Sequence, residues 1–368
     1  MIKRTALRFG AALFLLIQLA TSGFGESFVY VSLLEEQKIV RFQRNTETGE
    51  LTRCGETQCS AEPASLTASR NGLFLYVSMR SSGQLAAYRI QPSDGSLELL
   101  SLIDGGDDPA YLRIDGTGRY LITAYYVSNK VTVHAIEQDG RLSQQPLQSV
   151  QTSNNAHGVA IDAANRTVYV SHTGANRIDQ FRFDSRTGML TPLNPPFVAA
   201  PAGQNPRHVV LHPSGKSLFC SNEAGGSAED GVSRYEVDPD SGRLTLKQSL
   251  SSLPDSFDAT MNSTAECLLT PDGHWLFVAN RGHNSLAGFR VDPGGNELAR
   301  VSVTATEAVP RSFTITNDGK WLYSAGEQTG QIAAYRILAD GALEPFQKIP
   351  AGPISWCILA VDPETPSR

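Results

Sequence analysis

The chain has 368 residues, and its 31 Lys and Arg against 37 Asp and Glu give a formal net charge of -6 at pH 7. Its basic residues form no cluster, whereas binding to nucleic-acid phosphates requires concentrated Lys and Arg. The composition therefore excludes a typical nucleic-acid-binding protein and is compatible with an exported β protein.

The first 25 residues have the pattern of a secretory signal peptide. Lys3, Arg4 and Arg8 precede the uncharged residues 9–20, and four of the next five residues are small: Thr21, Ser22, Gly23 and Gly25. An apolar core of roughly a dozen residues is too short to span a bilayer comfortably, which favours a cleaved signal over an uncleaved anchor. We therefore predict a periplasmic or secreted protein with no membrane contact after cleavage. Residues 26–368 would then form a single domain.

The remainder of the chain repeats a cassette whose clearest copy is residues 310–343. This copy contains a short apolar run, an Asn-Asp-Gly-Lys turn, an apolar strand, an alternating strand and a Gly-x-Leu signature. A repeat of about 45 residues is typical of a propeller or a solenoid. Each cassette is predicted to form four short strands in one antiparallel sheet.

Two signatures recur seven times. The Gly-x-Leu signature, which is one residue longer in its sixth copy, is found at Gly49/Leu51, Gly95/Leu97, Gly140/Leu142, Gly188/Leu190, Gly242/Leu244, Gly295/Leu298 and Gly341/Leu343. The second strand of the cassette begins at Phe28, Leu73, Tyr120, Val168, Leu218, Trp275 and Trp321. Seven cassettes predict seven blades.

The first strand of the cassette settles how the ring closes. Six copies begin near Pro63, Pro109, Ala156, Pro206, Thr264 and Pro310, and the seventh lies at the far end, in residues 353–359. The C-terminal strand must therefore complete the N-terminal blade, which removes exposed sheet edges. The predicted fold is an all-β, seven-bladed β-propeller.

Cysteine usage gives no sign of a metal centre. Cys54 and Cys59 flank a short polar loop, and in an oxidising compartment they either pair or stay free. Cys220, Cys267 and Cys357 lie in apolar strands and are predicted to be small buried residues. The chain contains neither a CxxC…CxxC nor an HExxH pattern, so we expect no structural zinc and no cofactor.

Polar residues concentrate at two positions of the later cassettes. In an antiparallel blade, the start of the first strand and the end of the second strand lie on the same face, around the mouth of the channel. One lobe of that face collects His157, Arg207, His208, Glu223, Glu266, Arg281 and Arg311, next to Asn222 and Asn280. Two long insertions, residues 224–231 and 247–263, lie on this face as well. A single such residue is most simply a salt bridge, but seven together predict a functional site, because burying them unpaired is costly.

The residue types in this lobe suggest an anionic, oxygen-rich small molecule. Guanidinium groups bind a carboxylate or phosphate with two hydrogen bonds and stabilise an oxyanion. A neighbouring carboxylate or imidazole can activate water or move a proton. No G-x-S-x-G nucleophile elbow occurs, which argues against a serine acyl-enzyme.

Five segments resemble one known family. They are residues 205–213 (Asn-Pro-Arg-His through His-Pro), 221–223, 265–273, 279–285 (with Asn-Arg-Gly-His) and 309–313. These segments look like the seven-bladed propeller lactonases, which include the propeller-type 6-phosphogluconolactonases and the fungal carboxymuconate lactonizing enzyme. The resemblance covers essentially the whole chain after the signal peptide.

The resemblance implies lactone hydrolysis, or lactone formation and opening, with no obligatory metal. Carried over by position, it implies that the catalytic residues are His157, Arg207, Glu223 and Arg281. From their repeat positions on the same rim, we predict substrate contacts from His208, Glu266, Arg311, Asn222 and Asn280. Arg207 and Arg281 would hold the substrate anion and the oxyanion, and Glu223 with His157 would act as general base. The substrate would be a lactone or anionic sugar acid, either 6-phosphogluconolactone or a sugar lactone outside the cytoplasm.

Two other functions stay open at the level of sequence. The first is an exported, non-catalytic propeller that binds a ligand or a partner protein, since fold does not determine function. The second is a calcium-dependent lactonase with Glu223, Glu266, Asn222 and Asn280 as oxygen ligands. Arginines at the same mouth argue against a dication there.

Overall fold

A computed structural model describes residues 26–223 and 231–362. These residues form 28 β-strands and one short 3₁₀ helix, arranged as seven four-stranded antiparallel sheets. The predicted seven-bladed propeller is confirmed. The predicted signal peptide lies outside the described residues, as do residues 224–230 of the first long insertion.

The strands follow one another from the channel outwards in each blade. Blade 1 contains β28 (Ser355–Val361), β1 (Ser27–Leu33), β2 (Lys38–Arg44) and β3 (Leu51–Gln58); blade 2 contains β4 (Pro63–Ala68), β5 (Phe74–Met79), β6 (Gln84–Ile90) and β7 (Leu97–Asp104). Blade 3 contains β8 (Pro109–Ile114), β9 (Tyr120–Tyr125), β10 (Lys130–Ala135) and β11 (Gln148–Gln151); blade 4 contains β12 (Ala156–Ile161), β13 (Thr167–His172), β14 (Arg177–Asp184) and β15 (Met189–Ala199). Blade 5 contains β16 (Pro206–Leu211), β17 (Ser217–Asn222), β18 (Val232–Val237) and β19 (Leu244–Leu250). Blade 6 contains β20 (Thr264–Leu269), β21 (Trp275–Asn280), β22 (Ser285–Val291) and β23 (Leu298–Ala305); blade 7 contains β24 (Pro310–Ile315), β25 (Trp321–Gly326), β26 (Gln331–Ile337) and β27 (Leu343–Pro350). The 3₁₀ helix is Ala259–Met261.

The ring closes through β28, which pairs antiparallel with β1. This confirms the predicted closure, but the strand begins at Ser355 and not at Pro353. Ser355 pairs with Leu33, as Pro63 pairs with Met79 in blade 2. The backbone turns before the strand starts, with Ile354 at φ 49°. The residue that faces the channel mouth from this strand is therefore Trp356, which lines the cavity there, and not Ile354, which directly follows Pro353.

The outermost strand of blade 3 also departs from the prediction. Leu142 of the Gly-x-Leu signature forms only an isolated bridge with Ile136, and β11 begins six residues later at Gln148. Pro146 intervenes, and a proline cannot donate its backbone nitrogen to a strand ladder. In the other six blades the outermost strand begins at the signature leucine or directly before it.

The Gly-x-Leu glycines are the points at which neighbouring blades touch. A Cβ on Gly95 would lie 2.6 Å from the Phe28 ring of blade 1, and a Cβ on Gly49 would lie 2.5 Å from the Trp321 ring of blade 7. Both glycines have positive φ, of 69° and 76°. The signature therefore requires glycine both for backbone conformation and for space.

Buried tyrosines reinforce four of these blade contacts. The hydroxyls of Tyr30, Tyr76, Tyr169 and Tyr323 donate to the carbonyl oxygens of Gly95, Gly140, Gly242 and Gly49, at 2.6–3.0 Å. Each bond links one blade to the next around the ring. One glycine thus provides a packing surface through its missing Cβ and an acceptor through its carbonyl.

Gly95→Ala is expected to lower the free energy of unfolding by about 2–4 kcal/mol, because it adds a clash with Phe28 to an unfavourable φ. Gly118→Ala is the matched control, since Gly118 has φ 73° but nothing within 4 Å of the position that a Cβ would take. That control is expected to cost about 1 kcal/mol. Urea denaturation of both variants measures the difference, and equal losses would contradict the packing role.

The cysteines and the hydropathy pattern give two further results. Cys54 and Cys59 are both free in the described part of the chain. Five residues of extended chain span roughly 16 Å, whereas disulfide-linked Cα atoms lie about 4.4–6.8 Å apart, so pairing would require leaving the strand. Cys220 and Cys267 are buried, as predicted, and Cys357 is partly buried.

No helix within residues 26–223 and 231–362 is long and apolar enough to cross a membrane.

Candidate active site

One backbone hydrogen bond recurs in all seven blades and fixes the rim of the channel mouth. In each blade, the N–H that follows the second strand donates to the carbonyl that precedes the first strand, at 2.8–3.2 Å. We call this bond the rim latch. The residues whose N–H groups form it are Leu34, Arg80, Tyr126, Thr173, Glu223, Arg281 and Glu327. The latch therefore places Glu223 and Arg281 at equivalent points of adjacent blades.

A serine in the second strand fixes the residues of the first strand. Ser171 Oγ accepts from the N–H of Gly158 at 2.9 Å and donates to the carbonyl of Arg207 in the next blade at 2.5 Å. A Cβ on Gly158 would lie 2.5 Å from that same carbonyl oxygen. Glycine beside His157 thus lets blades 4 and 5 approach closely enough for His157 and Arg207 to meet.

Glu223 lies between two guanidinium groups. Its Oε1 accepts from Arg281 Nη2 at 2.7 Å and lies 3.5 Å from Arg207 Nε. Burial opposes ionisation of Glu223, but the charges of Arg207 and Arg281 outweigh it and lower the pKa of the carboxyl below its ordinary value. Glu223 is therefore a carboxylate at neutral pH, and it holds both arginines at the mouth.

The second long insertion, which begins only after β19 ends at Leu250 and not at residue 247 as predicted, supports this group. Its last residue, Ser263, accepts from Arg281 Nη2 at 2.5 Å and donates to the Glu223 backbone carbonyl at 2.8 Å. Arg281 also donates to the Thr264 carbonyl at 3.2 Å. The described insertion therefore acts as a brace that orients Arg281.

A second chain of contacts joins Glu266, His208 and Arg207. His208 Nδ1 lies 2.6 Å from Glu266 Oε1, and His208 Nε2 lies 3.1 Å from Arg207 Nη1. Because a guanidinium can only donate, His208 Nε2 must accept, and the proton of His208 resides on Nδ1. Burial lowers the pKa of His208 despite the opposing charge of Glu266. Neutral His208 thus links Glu266 to Arg207, and its lone pair is already used.

His157 lies beside this chain, with its ring centroid 5.0 Å from that of His208 and 5.9 Å from that of Tyr126. Burial, reinforced by the charge of Arg207, lowers the pKa of His157 well below its ordinary value. Its Nδ1 is buried and has no hydrogen-bond partner among the described residues. His157 is therefore a neutral imidazole with a free polar atom at the site.

The predicted site contains only residues of blades 4 to 7, but residues of blades 1 to 3 complete it. The residues that line the cavity at the mouth include Arg80, Tyr111 and Trp356, in addition to the predicted His157, Arg207, His208, Glu266 and Arg311. Arg80 occupies the same latch position as Arg281, which is the sequence signal that could have identified it. Trp356 had no such signal, because Pro353 suggested the wrong start of β28. The cavity is about 30 Å³, enough for about two water molecules, so a larger substrate would bind above it.

Asn222 and Asn280, predicted to contact substrate, are fully buried instead. Asn280 Oδ1 accepts from Ser252 and Asn262 at 2.6 and 3.0 Å, which ties down the second insertion. Asn222 Nδ2 donates to Ser233 at 2.8 Å. Because they have no solvent exposure, we assign both residues to supporting the rim and not to binding substrate.

The calcium alternative finds no support in these contacts. Glu223 is engaged by arginines, Glu266 by His208 and Asn280 by the second insertion, while Asn222 donates to Ser233 of β18. Within residues 26–223 and 231–362, no three His, Cys, Asp or Glu side chains are grouped so that they could hold a metal ion.

Comparisons with known proteins agree with this fold. A family model described as "Lactonase, 7-bladed beta-propeller" matches residues 28–360. The 6-phosphogluconolactonase of Serratia proteamaculans is 30% identical over 339 residues, which cover 91% of this chain and 99% of that protein. That of Pectobacterium carotovorum is 30% identical over 340 residues, covering 92% and 100%.

Two solved structures extend the comparison. A Bacteroides fragilis protein described as a candidate 6-phosphogluconolactonase has a TM-score of 0.82 and 26% identity, covering 92% of this chain and 98% of that one. A periplasmic gluconolactonase of Pseudomonas aeruginosa has a TM-score of 0.81 and 22% identity, covering 92% and 100%, and shares the fold.

Proposed function

This chain belongs to the seven-bladed β-propeller lactonase family, and from that premise we propose that it hydrolyses the lactone of a sugar acid at the mouth of its channel. The relatives named 6-phosphogluconolactonase make 6-phosphogluconolactone the first candidate substrate. The observation that carries the proposal is the convergence of Arg207 and Arg281 on one oxygen of Glu223. Of these three residues, Arg207 also lines the cavity, where neutral His157 lies beside it.

Arg207 and Arg281 provide the charge that lactone hydrolysis requires. When water attacks the lactone carbonyl carbon, the carbonyl oxygen becomes an oxyanion. Hydrogen bonds from a guanidinium stabilise this negative charge, and they do so most strongly where water is excluded. Arg207 is only 2% exposed, and Glu223 and His208 hold its guanidinium in place before the substrate arrives. The arginines therefore require little reorganisation during the reaction.

Glu223 is the proposed proton carrier. Both of its contacts with arginine use Oε1, which leaves lone pairs on Oε2 for the attacking water. The water gives its proton to Glu223 as its oxygen bonds to the carbonyl carbon. The tetrahedral intermediate then collapses, the bond from the carbonyl carbon to the ring oxygen breaks, and Glu223 returns the proton to the ring oxygen. The new carboxylic acid releases a proton to solvent. His157 Nδ1 is a further polar contact for water or substrate.

The test is proton release by the purified protein on 6-phosphogluconolactone, gluconolactone and a muconolactone. The same buffer without protein gives the spontaneous rate. We expect turnover above this rate on at least one lactone. Absence of turnover on all three, with retained ligand-induced stabilisation, would replace the proposal with the non-catalytic binding propeller.

Export remains part of this proposal. Lys3, Arg4 and Arg8 followed by uncharged residues 9–20 favour secretion, and a protein outside the cytoplasm would meet sugar lactones that are formed there. Fractionation and N-terminal sequencing of the mature protein test this point, and an intact Met1 in the cytoplasmic fraction would refute it.

A further inference from the structure

The channel mouth has two halves with different chemistry. His157, Arg207, Glu223 and Arg281 come from blades 4, 5 and 6. On the opposite side of the ring, Arg311, Trp356 and Arg80 come from the consecutive blades 7, 1 and 2. All three residues of this second group line the same cavity as His157 and Arg207. The second group, which we call the Trp356 cluster, has no step in the proposed hydrolysis.

Arg311 is a charged group without a hydrogen-bond acceptor. Its side chain is 14% exposed, and its nearest carboxylate oxygen, Oε2 of Glu327, is 3.6 Å from Nη1. Among the residues that the structure describes, no atom accepts a hydrogen bond from its guanidinium. That Glu327 oxygen is buried without a hydrogen-bond partner among the described residues. The Arg311 nitrogen atoms, in contrast, keep contact with solvent and line the cavity at the mouth, so the unused donors of this largely buried guanidinium are available to a ligand.

Trp356 holds two cations close to each other. Arg311 Cζ lies 3.5 Å and Arg80 Cζ 5.2 Å from the centroid of the Trp356 ring. Burial is the main cause that lowers the pKa of Arg311 to about 10, and the positive charges of Arg281 and Arg80 contribute less. Like charges gathered on one aromatic ring repel each other, and an anion bound between them would relieve this repulsion.

Arg80 is oriented for such a role. Its Nε and Nη2 pair with the two carboxylate oxygens of Asp108, with Nη2 2.9 Å from Oδ2. This two-point contact fixes the plane of the guanidinium and leaves Nη1 outside the pair. Asp108 itself precedes the first strand of blade 3 and has φ 51°. Its carbonyl accepts the rim latch of this blade, from the N–H of Tyr126, which holds Asp108 in place.

We propose that the Trp356 cluster binds an anionic substituent, a phosphate ester or a carboxylate, at the end of the substrate opposite the lactone carbonyl. The inference rests on the proposed lactonase function and deepens it. It makes Arg80 and Arg311 specificity-determining residues and Trp356 the platform that positions them. It also predicts that lactones with such a substituent are better substrates than neutral gluconolactone.

The test compares kcat/KM on 6-phosphogluconolactone, muconolactone and gluconolactone for the natural protein and for Arg80→Gln. The ratio that matters is kcat/KM on a charged lactone divided by kcat/KM on gluconolactone. Losing a charge-assisted hydrogen bond is expected to lower this ratio by about 10-fold or more. Comparison of the two charged lactones separates phosphate from carboxylate recognition. If Arg80→Gln fails to fold because Asp108 loses its partner, Arg311→Lys tests the same site, because it removes the planar guanidinium that can bind an anion through two hydrogen bonds.

Arg336→Gln is the matched control. Arg336 also stacks on a tryptophan, at 5.4 Å from the centroid of Trp321, and pairs with Glu344 at 3.1 Å, but its side chain is 52% exposed and it does not line the cavity. Its replacement is expected to leave the substrate ratio unchanged. An equal ratio in the natural protein, Arg80→Gln and Arg311→Lys would overturn the inference.

A binding measurement keeps this inference separate from the lactonase proposal. Inorganic phosphate is expected to raise the Tm of the natural protein and of Arg336→Gln more than that of Arg80→Gln or Arg311→Lys. If no lactone is turned over but this difference is found, the lactonase proposal fails and the anion site stands. If lactones are turned over and phosphate stabilises all four proteins equally, the anion site fails alone.

Discussion

Replacing Arg207 by alanine is expected to lower kcat/KM on the responsive lactone by about 10³-fold, the upper range for loss of one oxyanion donor. The effect is large because Arg207 has two polar contacts at the site and also lines its cavity. It lies 3.5 Å from Glu223, donates to His208 and lines the cavity with His157. Steady-state proton release, corrected for spontaneous hydrolysis, measures the change.

Arg234→Ala is the matched control for this variant. Arg234 is a second mostly buried arginine of blade 5, on β18, where it donates to Ser217 at 3.1 Å and does not line the cavity. Its replacement is expected to reduce stability but to leave turnover within about twofold, because it touches no group of the site. If both variants lose the same activity, the loss reflects folding and the role assigned to Arg207 is wrong.

Glu223→Gln is expected to lower kcat by about 10²–10⁴-fold while the fold is kept. The amide preserves the size of the side chain but can neither accept the proton from water nor balance two guanidinium charges. Near-normal kcat in a folded variant would remove Glu223 from the mechanism, and Arg281 with Arg207 would then act without it.

The pH dependence of the natural protein gives the same assignment a second readout. Arg207 and Arg281 lower the pKa of Glu223, so its carboxylate persists as the pH falls through the ordinary range of a glutamate. Activity that depends on this carboxylate is expected to stay level through about pH 5 and to decline only at lower pH. Burial keeps His157 neutral, so it adds no inflection near its ordinary pKa of about 6.5. A midpoint between about pH 6 and 7 would contradict both assignments.

The repeat made the fold predictable from sequence. A glycine that must have positive φ and no Cβ occurs once in every blade, because each blade meets its neighbour in the same way, as Gly95 meets Phe28. The lone first strand at the C-terminus then determined how the ring closes. Blade 3 was the exception, because a signature read in isolation could not show that Pro146 delays β11.

The site was only half predictable, for a physical reason. Charged residues such as Arg207 and Glu223 can be recognised in the sequence, because burying a charged side chain costs free energy unless it has a partner or a function. The register of a strand cannot be recognised in the same way, because it depends on the strand with which it pairs. The pairing of Leu33 with Ser355 places Trp356, the next residue of β28, at the rim. Asn280 shows a different difficulty, since an amide beside a site is equally suited to holding a loop.

The pairing of β28 with β1 also has a consequence for how the molecule assembles. Ser32 Oγ in β1 accepts from the N–H of Cys357 in β28 at 3.0 Å, across 325 positions of the sequence. Bringing such distant segments together costs more chain entropy than forming any hairpin within a blade, so this pairing is expected to form late in folding. Trp356 is carried by β28 and therefore reaches the channel mouth only in that step. Six blades can be complete while the cavity still lacks one wall, so ligand binding at this mouth would report the arrival of the final strand.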